Sequence, residues 1–291
     1  MLKAYIEPSA LNRAVDLNLA PGAIRDFLTQ LGFETATGLH TVYELARSFL
    51  SETNATAQRG QKLFTLLRDL DPAYQQRIDL LLGSEVRNLR HGTEVQPFLD
   101  PEDRSLTREE VVRLAEGVFD FRARHFITNV EEHKNWELGE FEGASEQIVA
   151  FKKMSQVVRN LRTFDDVWGY FARGGDIPQL IVSILRGEAS LAEAHEIATR
   201  ASSFPAITAA ARANVYLNFI MIAKSVPPGR DKLDDYKHCV EASYCKAFVT
   251  ADGRQANVMG TICPKIQLID ANEWSANTGL NRKAPLRGAA G

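Results

Sequence analysis

The sequence predicts an α/β fold in which a central parallel sheet is interrupted by a large all-helical insertion. Three observations carry this expectation. The first 50 residues alternate strand and helix. The middle of the chain has only helical periodicity. The strand–helix alternation then returns after Pro227-Pro228-Gly229, the clearest break in the chain. The two ends hold too few strands for separate sheets. One domain over residues 1–274 is therefore expected, with core segments 1–90 and 228–274 around an insertion at about 91–227.

Lys3 to Ile6 is a short apolar run and reads as the first strand. Ser9 to Val15 starts a helix, and Pro21-Gly22 starts another with Ile24, Phe27, Leu28 and Leu31 at helical spacing and Gly32 as its stop. Phe33 to Thr37 is a second strand. Val42, Leu45, Ala46 and Phe49 then share one helix face, and Gln61 to Leu70 forms a further helix ended by Asp71-Pro72. Gln76 to Gly83 reads equally as a strand or a helix start.

In the middle, Thr107-Arg108-Glu109-Glu110 resembles a capping sequence before Val111, Val112 and Leu114. Ile148, Phe151, Met154, Val158 and Leu161 form one helical stripe, with Lys152, Lys153, Arg159 and Arg162 on a solvated face. Short helices are expected over Asp165 to Ala172, Pro178 to Leu185 and Leu191 to Arg200, and the most apolar helix, Pro205 to Lys224, should be buried. Beyond the Pro-Pro-Gly break come a helix from Asp231 to Tyr244 and strands at Ala247 to Thr250 and Gln267 to Ile269. Residues 275–291 have the composition of a disordered tail.

The chain of 291 residues is 45% hydrophobic and 24% charged, ordinary values for a globular protein. A net charge of -3 neither demands nor excludes nucleic acid. The strongest uninterrupted apolar run, Val215 to Ala223, is short for a membrane span and contains Asn218. With no secretory pattern at the start, a cytoplasmic location away from membranes is expected. Cys239, Cys245 and Cys263 are odd in number and lack C-x-x-C spacing, so they read as small buried apolar residues. The glycine-rich motifs of dinucleotide and P-loop enzymes are missing, as is the G-x-S-x-G of serine hydrolases.

The chemistry lies in four acids: Glu7, Glu44, Asp235 and Asp252. Glu7 and Asp252 end apolar strands, and open parallel sheets bind ligands outside the carboxyl ends of their strands. Glu44 lies near the start of a helix. Asp235 opens another, where it is equally placed as a helix cap, and Asp234 is a near-equal rival for its role. Carboxylates brought together from both ends of the chain suit Mg²⁺ or Mn²⁺, hard cations that prefer oxygen ligands. His238, three residues after Asp235, lies on the same helix face and would meet a substrate phosphate or an acid. Arg47, one turn after Glu44, would bind phosphate or pair with an acid. His125 and His133 have no third ligand at a recognisable spacing.

Four segments in this order resemble the motifs of the PIN-domain family. Tyr5-Ile6-Glu7-Pro8-Ser9-Ala10-Leu11 resembles its opening strand, and Thr41-x-x-Glu44-Leu45-x-Arg47 its second motif. Asp235-x-x-His238 followed by Ala242 resembles the third, and Phe248-Val249-Thr250-Ala251-Asp252 the fourth. The resemblance covers about 1–90 and 228–274. It implies a PIN-like three-layer fold and a metal-dependent nuclease, most often an endoribonuclease, that hydrolyses phosphodiester bonds. RNA is then favoured over DNA as partner, and a protein inhibitor or a second copy of the chain are further partner classes. Glu7, Glu44, Asp235 and Asp252 become the catalytic, metal-holding carboxylates, and Ser9 the small hydroxyl beside the first acid. Glu7 stands where the family usually has Asp, Pro8 replaces a small polar residue, and the helical insertion has no counterpart in the family's small toxins. The Glu7 departure supports a rival reading, a scaffold with an impaired metal site that binds RNA or protein. An aspartyl-phosphate phosphatase would need Asp where Glu7 and Ser9 stand.

Overall fold

Among the described residues, five short strands form one sheet in which every pairing is parallel. The computed structural model describes residues 1–50, 53–225 and 227–274; the tail at 275–291 lies outside the described residues. In chain order, β1 (Leu2–Ile6), α1 (Pro8–Asp16), α2 (Pro21–Gln30), β2 (Phe33–Thr37), α3 (Leu39–Ala46), α4 (Asn54–Leu70) and β3 (Ala73–Tyr74) make the first part. From β3 to β4 the regular elements are all helical: α5 (Ile78–His91), α6 (Pro101–Ala115), α7 (Phe121–Met154), α8 (Gln156–Arg159), α9 (Phe164–Gly174), α10 (Asp176–Ile184), α11 (Leu191–Thr199), α12 (Pro205–Lys224) and α13 (Arg230–Glu241). β4 (Ala247–Thr250), α14 (Gly253–Ile262) and β5 (Gln267–Asp270) follow.

The strand order is β3-β2-β1-β4-β5. β1 is central and pairs with β2 on one side, Ala4 opposite Thr35, and with β4 on the other, Tyr5 opposite Phe248. The order of progression reverses between β1 and β4, and that is where open α/β sheets bind ligands.

Alternation along the strands sorts their side chains into two cores. Tyr5, Ala36 and Phe248 point into one core with α5 and α9 to α14, where the Tyr5 and Phe248 rings stack 5.6 Å apart. Ala4, Ile6, Phe33, Ala247, Val249 and Ile269 point into the other, with α1 to α4 and α6. Both faces are thus covered, as parallel sheets require, and the layers run helix, sheet, helix. Each large apolar side chain taken fully out of water contributes about 1.5–3 kcal/mol.

Four sequence expectations change. Gln76 to Gly83 is a helix from Ile78 onward, and the third strand is the two-residue β3 just before it. Thr107 to Glu110 lies inside α6, because Asp100-Pro101 starts that helix about two turns earlier: Asp100 accepts from the Asp103 amide, and Pro101 fills the first helical position. The stripe from Ile148 to Leu161 is broken at Ser155, whose hydroxyl caps α8. Lys152, expected in solvent, instead donates to the Ile222 carbonyl (2.5 Å) and Ser225 Oγ (3.1 Å) beyond the end of α12.

α12 is apolar on all sides and packs against α5, α7, α9, α10, α13 and α14. Its Pro205–Ala223 stretch is long and apolar enough to cross a membrane, but 61% of it is buried inside the protein. In the sequence the apolar run is short because Arg212, Asn214 and Asn218 interrupt it. Within the fold Arg212 is held by the Phe164 and Trp168 rings, each 5.0 Å away, and donates to the Thr261 and Ile262 carbonyls. The Phe204 side chain does not cap α12, so buried Glu85 supplies the acceptors, taking the Ala206 and Ile207 amides at 2.8 Å each.

Candidate functional site

Glu7 and Asp252 lie just past β1 and β4, and Glu44 and Asp235 lie on α3 and α13; among the described residues no three of these four acids bring ligand oxygens within 4.8 Å of one another. Glu7 follows β1 and is the N-cap of α1, 5% exposed. Pro8 sits at the first helical position, where a missing N–H costs nothing. Glu7 accepts from the Ser9 amide (2.9 Å) and from Ser9 Oγ. Burial raises its carboxyl above the usual range, against the pull of His238 and Ser9. Ser9 Oγ also accepts from the Ala251 amide (2.9 Å) and lies 3.2 Å from Thr250 Oγ1, which in turn accepts from the Asp252 amide (2.9 Å). One short hydrogen-bonded path therefore joins Glu7 to the segment carrying Asp252.

Asp252 is exposed and caps α14, its Oδ1 accepting from the Arg254 (2.7 Å) and Gln255 (3.4 Å) amides. Its Oδ2 has no hydrogen-bond partner among the described residues. Gln255 bridges to the next acid: its Nε2 donates to the Asp235 carbonyl at 3.4 Å, while its buried Oε1 has no partner among the described residues. Asp235 on α13 accepts from Lys232 Nζ at 2.5 Å. Burial outweighs that ammonium and pushes the Asp235 carboxyl up to about 6.

Glu44 on α3 meets His238 on α13. His238 is 3% exposed, with Nε2 3.2 Å from Glu44 Oε2 and Nδ1 2.8 Å from Tyr5 Oη. Full burial works against its charge, yet the Glu44, Glu241 and Glu7 carboxylates push the imidazole up to about 9. Burial likewise opposes Glu44 ionisation, and His238 and His40 overcome it, holding Glu44 far below its usual range. Glu7, Glu44 and Asp235 all act electrostatically on this one imidazole.

The folded-state value of His238 lies above its ordinary 6.5, so its contribution to stability is complete below pH 6.5 and is lost as pH rises through about 9. The contribution of Glu44 has the opposite sense and is lost as pH falls below 4.5. Urea unfolding as a function of pH should show the alkaline loss in the native protein and a flatter alkaline limb in His238→Gln.

The sequence reading left Asp234 and Asp235 as near-equal rivals and missed His40, Lys134 and Glu241. Asp234, the rival of Asp235, is the acid that faces α3: it accepts from His40 Nε2 at 2.9 Å and from Lys134 Nζ, which is 0% exposed. His40 Nε2 is also 3.6 Å from Glu44 Oε1. Glu241 accepts from Tyr5 Oη (2.6 Å) and from the His40 amide (3.0 Å), so it caps α3 from outside. His40 and Glu44 are one turn apart, and Asp234, His238 and Glu241 fall at helical spacing on one face. These polar stripes are the signal that could have found them. Lys134 has no such signal. Arg47, open between two roles in sequence, pairs with Glu131 at 2.9 Å.

Gly38 precedes α3 because the Glu241 carboxylate fills the place of a side chain. A Cβ there would lie 1.6 Å from Glu241 Oε2. Gly38→Ala should push Glu241 off the His40 amide and Tyr5, destabilising the fold by about 2–3 kcal/mol, as read from the urea midpoint.

Comparison of the chain with protein-family models, with curated proteins and with solved structures found no match to any of the three.

Proposed function

We propose that this protein is a metal-dependent nuclease, most simply an endoribonuclease of PIN-like organisation, acting at the carboxyl edge of its sheet. The observation that carries the reading is the placement of Glu7 and Asp252 just past the adjacent strands β1 and β4, tied together through Ser9 and Thr250, with Glu44 against His238 on the neighbouring helices. Glu7 and Asp252 come from distant parts of the chain and flank the point where the strand order reverses. The donor set suits Mg²⁺ or Mn²⁺: carboxylate oxygens, a free Asp252 Oδ2 among the described residues, and the buried Gln255 Oε1 without a partner there. When bound, such an ion supplies Lewis acidity to a phosphate and lowers the pKa of a water.

The chain's own residues have distinct parts in this reading. Ser9 fixes the orientation of Glu7 through two hydrogen bonds. Asp252 presents its charge beside the amides that open α14, where the helix dipole favours anions. Asp235, pushed up to about 6, is the carboxylate best matched to take a proton from water near neutral pH. Arg47 is engaged with Glu131, so phosphate contact falls to other cations.

The second reading, a scaffold that binds RNA or protein, is supported by the mutual neutralisation of Glu44 by His238 and of Asp234 by Lys134. Labelled single- and double-stranded RNA and DNA, incubated with Mg²⁺, Mn²⁺ or chelator, separate the two. The nuclease reading expects products only with metal, and from RNA before DNA. Retention of RNA without cleavage under every metal would leave the scaffold.

A further inference from the structure

We propose that His40, Glu44 and His238 form a binding site for one divalent transition-metal ion, of the Zn²⁺ or Co²⁺ class, distinct in chemistry from the all-oxygen set above. His40 and Glu44 come from one turn of α3 and His238 from α13, and one ligand atom from each lies within 4.8 Å of the others. Tetrahedral bonds of about 2.0–2.1 Å set ligand atoms about 3.3 Å apart. His238 Nε2 lies 3.2 Å from Glu44 Oε2, and His40 Nε2 lies 3.6 Å from Glu44 Oε1. Two imidazoles and one carboxylate are a ligand set for Zn²⁺, Co²⁺ or Fe²⁺, because imidazole nitrogen favours later first-row ions over Mg²⁺.

The hydrogen bonds around the site supply an independent observation. Tyr5 Oη is 2.6 Å from Glu241 Oε2, and Glu241 already accepts the His40 amide, so the phenol donates to this carboxylate. Its oxygen then accepts from His238 Nδ1, 2.8 Å away. The Thr41 hydroxyl, 3.2 Å from the phenol, changes nothing on the far side of the ring. With Nδ1 carrying its proton, a neutral imidazole turns the Nε2 lone pair toward a carboxylate oxygen, a repulsive contact. Only a positive charge between Nε2 and Glu44 completes the network: a second proton or a metal ion. A metal-bound histidine whose other nitrogen donates to a fixed partner, itself held by a carboxylate, is the usual outer support of such ions. Tyr5 and Glu241 provide that support for His238. Asp234 lies 2.9 Å from His40 Nε2 and is anchored by Lys134; binding the ion displaces the proton that Nε2 gives to Asp234 into solvent, and this carboxylate then stands as a fourth oxygen ligand within a small rotation. Glu44 and Asp234 keep side-chain exposures of 19% and 12%, which gives the ion a route in.

This inference rests on the histidine pair and not on nuclease activity. Chelator-treated protein is titrated with Co²⁺ and its visible absorption recorded. Ligand-field bands that saturate at one equivalent and vanish on adding Zn²⁺ are expected. His40→Ala and His238→Gln should each weaken Co²⁺ binding by at least about 10-fold to 100-fold, with circular dichroism checking their fold. X-ray absorption of the Zn²⁺-loaded native chain, which needs no substitution, should show two imidazole ligands. Absence of the bands, their persistence in both folded variants, or an oxygen-only shell each overturns the site. Co²⁺ bound through histidine by a protein that cleaves no nucleic acid would keep this site and reject the nuclease reading. Metal-dependent cleavage without histidine ligation would do the reverse.

Discussion

Asp252→Asn should reduce metal-dependent cleavage at least about 100-fold while leaving the protein folded. Loss of outer support alone typically costs 10-fold to 100-fold in metal affinity or activity, and a lost ligand costs no less. The substitution separates two roles that the native residue combines. As N-cap of α14, Asp252 takes the Arg254 and Gln255 amides through one oxygen. Asparagine caps about as well as aspartate, so that bond survives. The lost charge at the helix N-terminus costs about 0.3–1 kcal/mol, a small shift in the urea midpoint. Asp252→Ala should lose activity and also about 1 kcal/mol of cap. Measuring turnover and urea unfolding on the same preparations checks both. Full turnover in Asp252→Asn would remove Asp252 from the site.

The largest loss of stability should come from Asp234→Ala, at about 3–5 kcal/mol. Lys134 has no exposed surface, and both Asp234 oxygens accept from its ammonium. Burial pulls the lysine below its ordinary range, and Asp234 is the main group holding it charged. Truncating the acid leaves an ammonium without its partner and His40 Nε2 without its 2.9 Å acceptor. Replacing both members together, Asp234→Leu with Lys134→Met, should cost less than Asp234→Ala alone, since a well-packed apolar pair of similar volume is often neutral. The urea midpoints of native, single and double variants give the coupling directly. A cost below about 1 kcal/mol for Asp234→Ala would mean that water reaches Lys134.

The sequence made much of this arrangement legible, and for identifiable reasons. β1 and β4 were readable because each is a short apolar run next to a turn or helix signal and is buried on both faces, whereas β2 and β5 carry only two apolar residues each and were legible by the turn signals around them. β3 was not, because two residues carry no period; it exists because the Gln75 amide reaches the Thr37 carbonyl at 2.8 Å and Ala36 pairs with Ala73. Glu7 and Asp252 were found by ending strands. Asp234 and Asp235 could not be separated, since neighbours on a helix differ by about 100° and both can lie beside a histidine three or four residues on. Only the packing of α13 against α3 turned Asp234 toward His40 and left Asp235 with Lys232. Lys134 sits within a long helix whose pattern gives no hint of a buried charge. Its partner is fixed by tertiary contact alone.

The central place of β1 bears on how the chain is made. Tyr5 opposes Phe248 in the finished sheet, so the first strand lacks one of its two neighbours until the long stretch of chain between them has been synthesised. At about 5–20 residues per second, that wait lasts on the order of tens of seconds. Pairing partners this remote in sequence also make for slow folding, because a long loop must close before the contact forms. During that interval one edge of β1 is open to pairing with other chains, and the apolar helices before β4 have only the β1–β2–β3 part of the sheet to pack on. Recovery of the native state should therefore depend more on chaperones and on low concentration than its ordinary composition suggests.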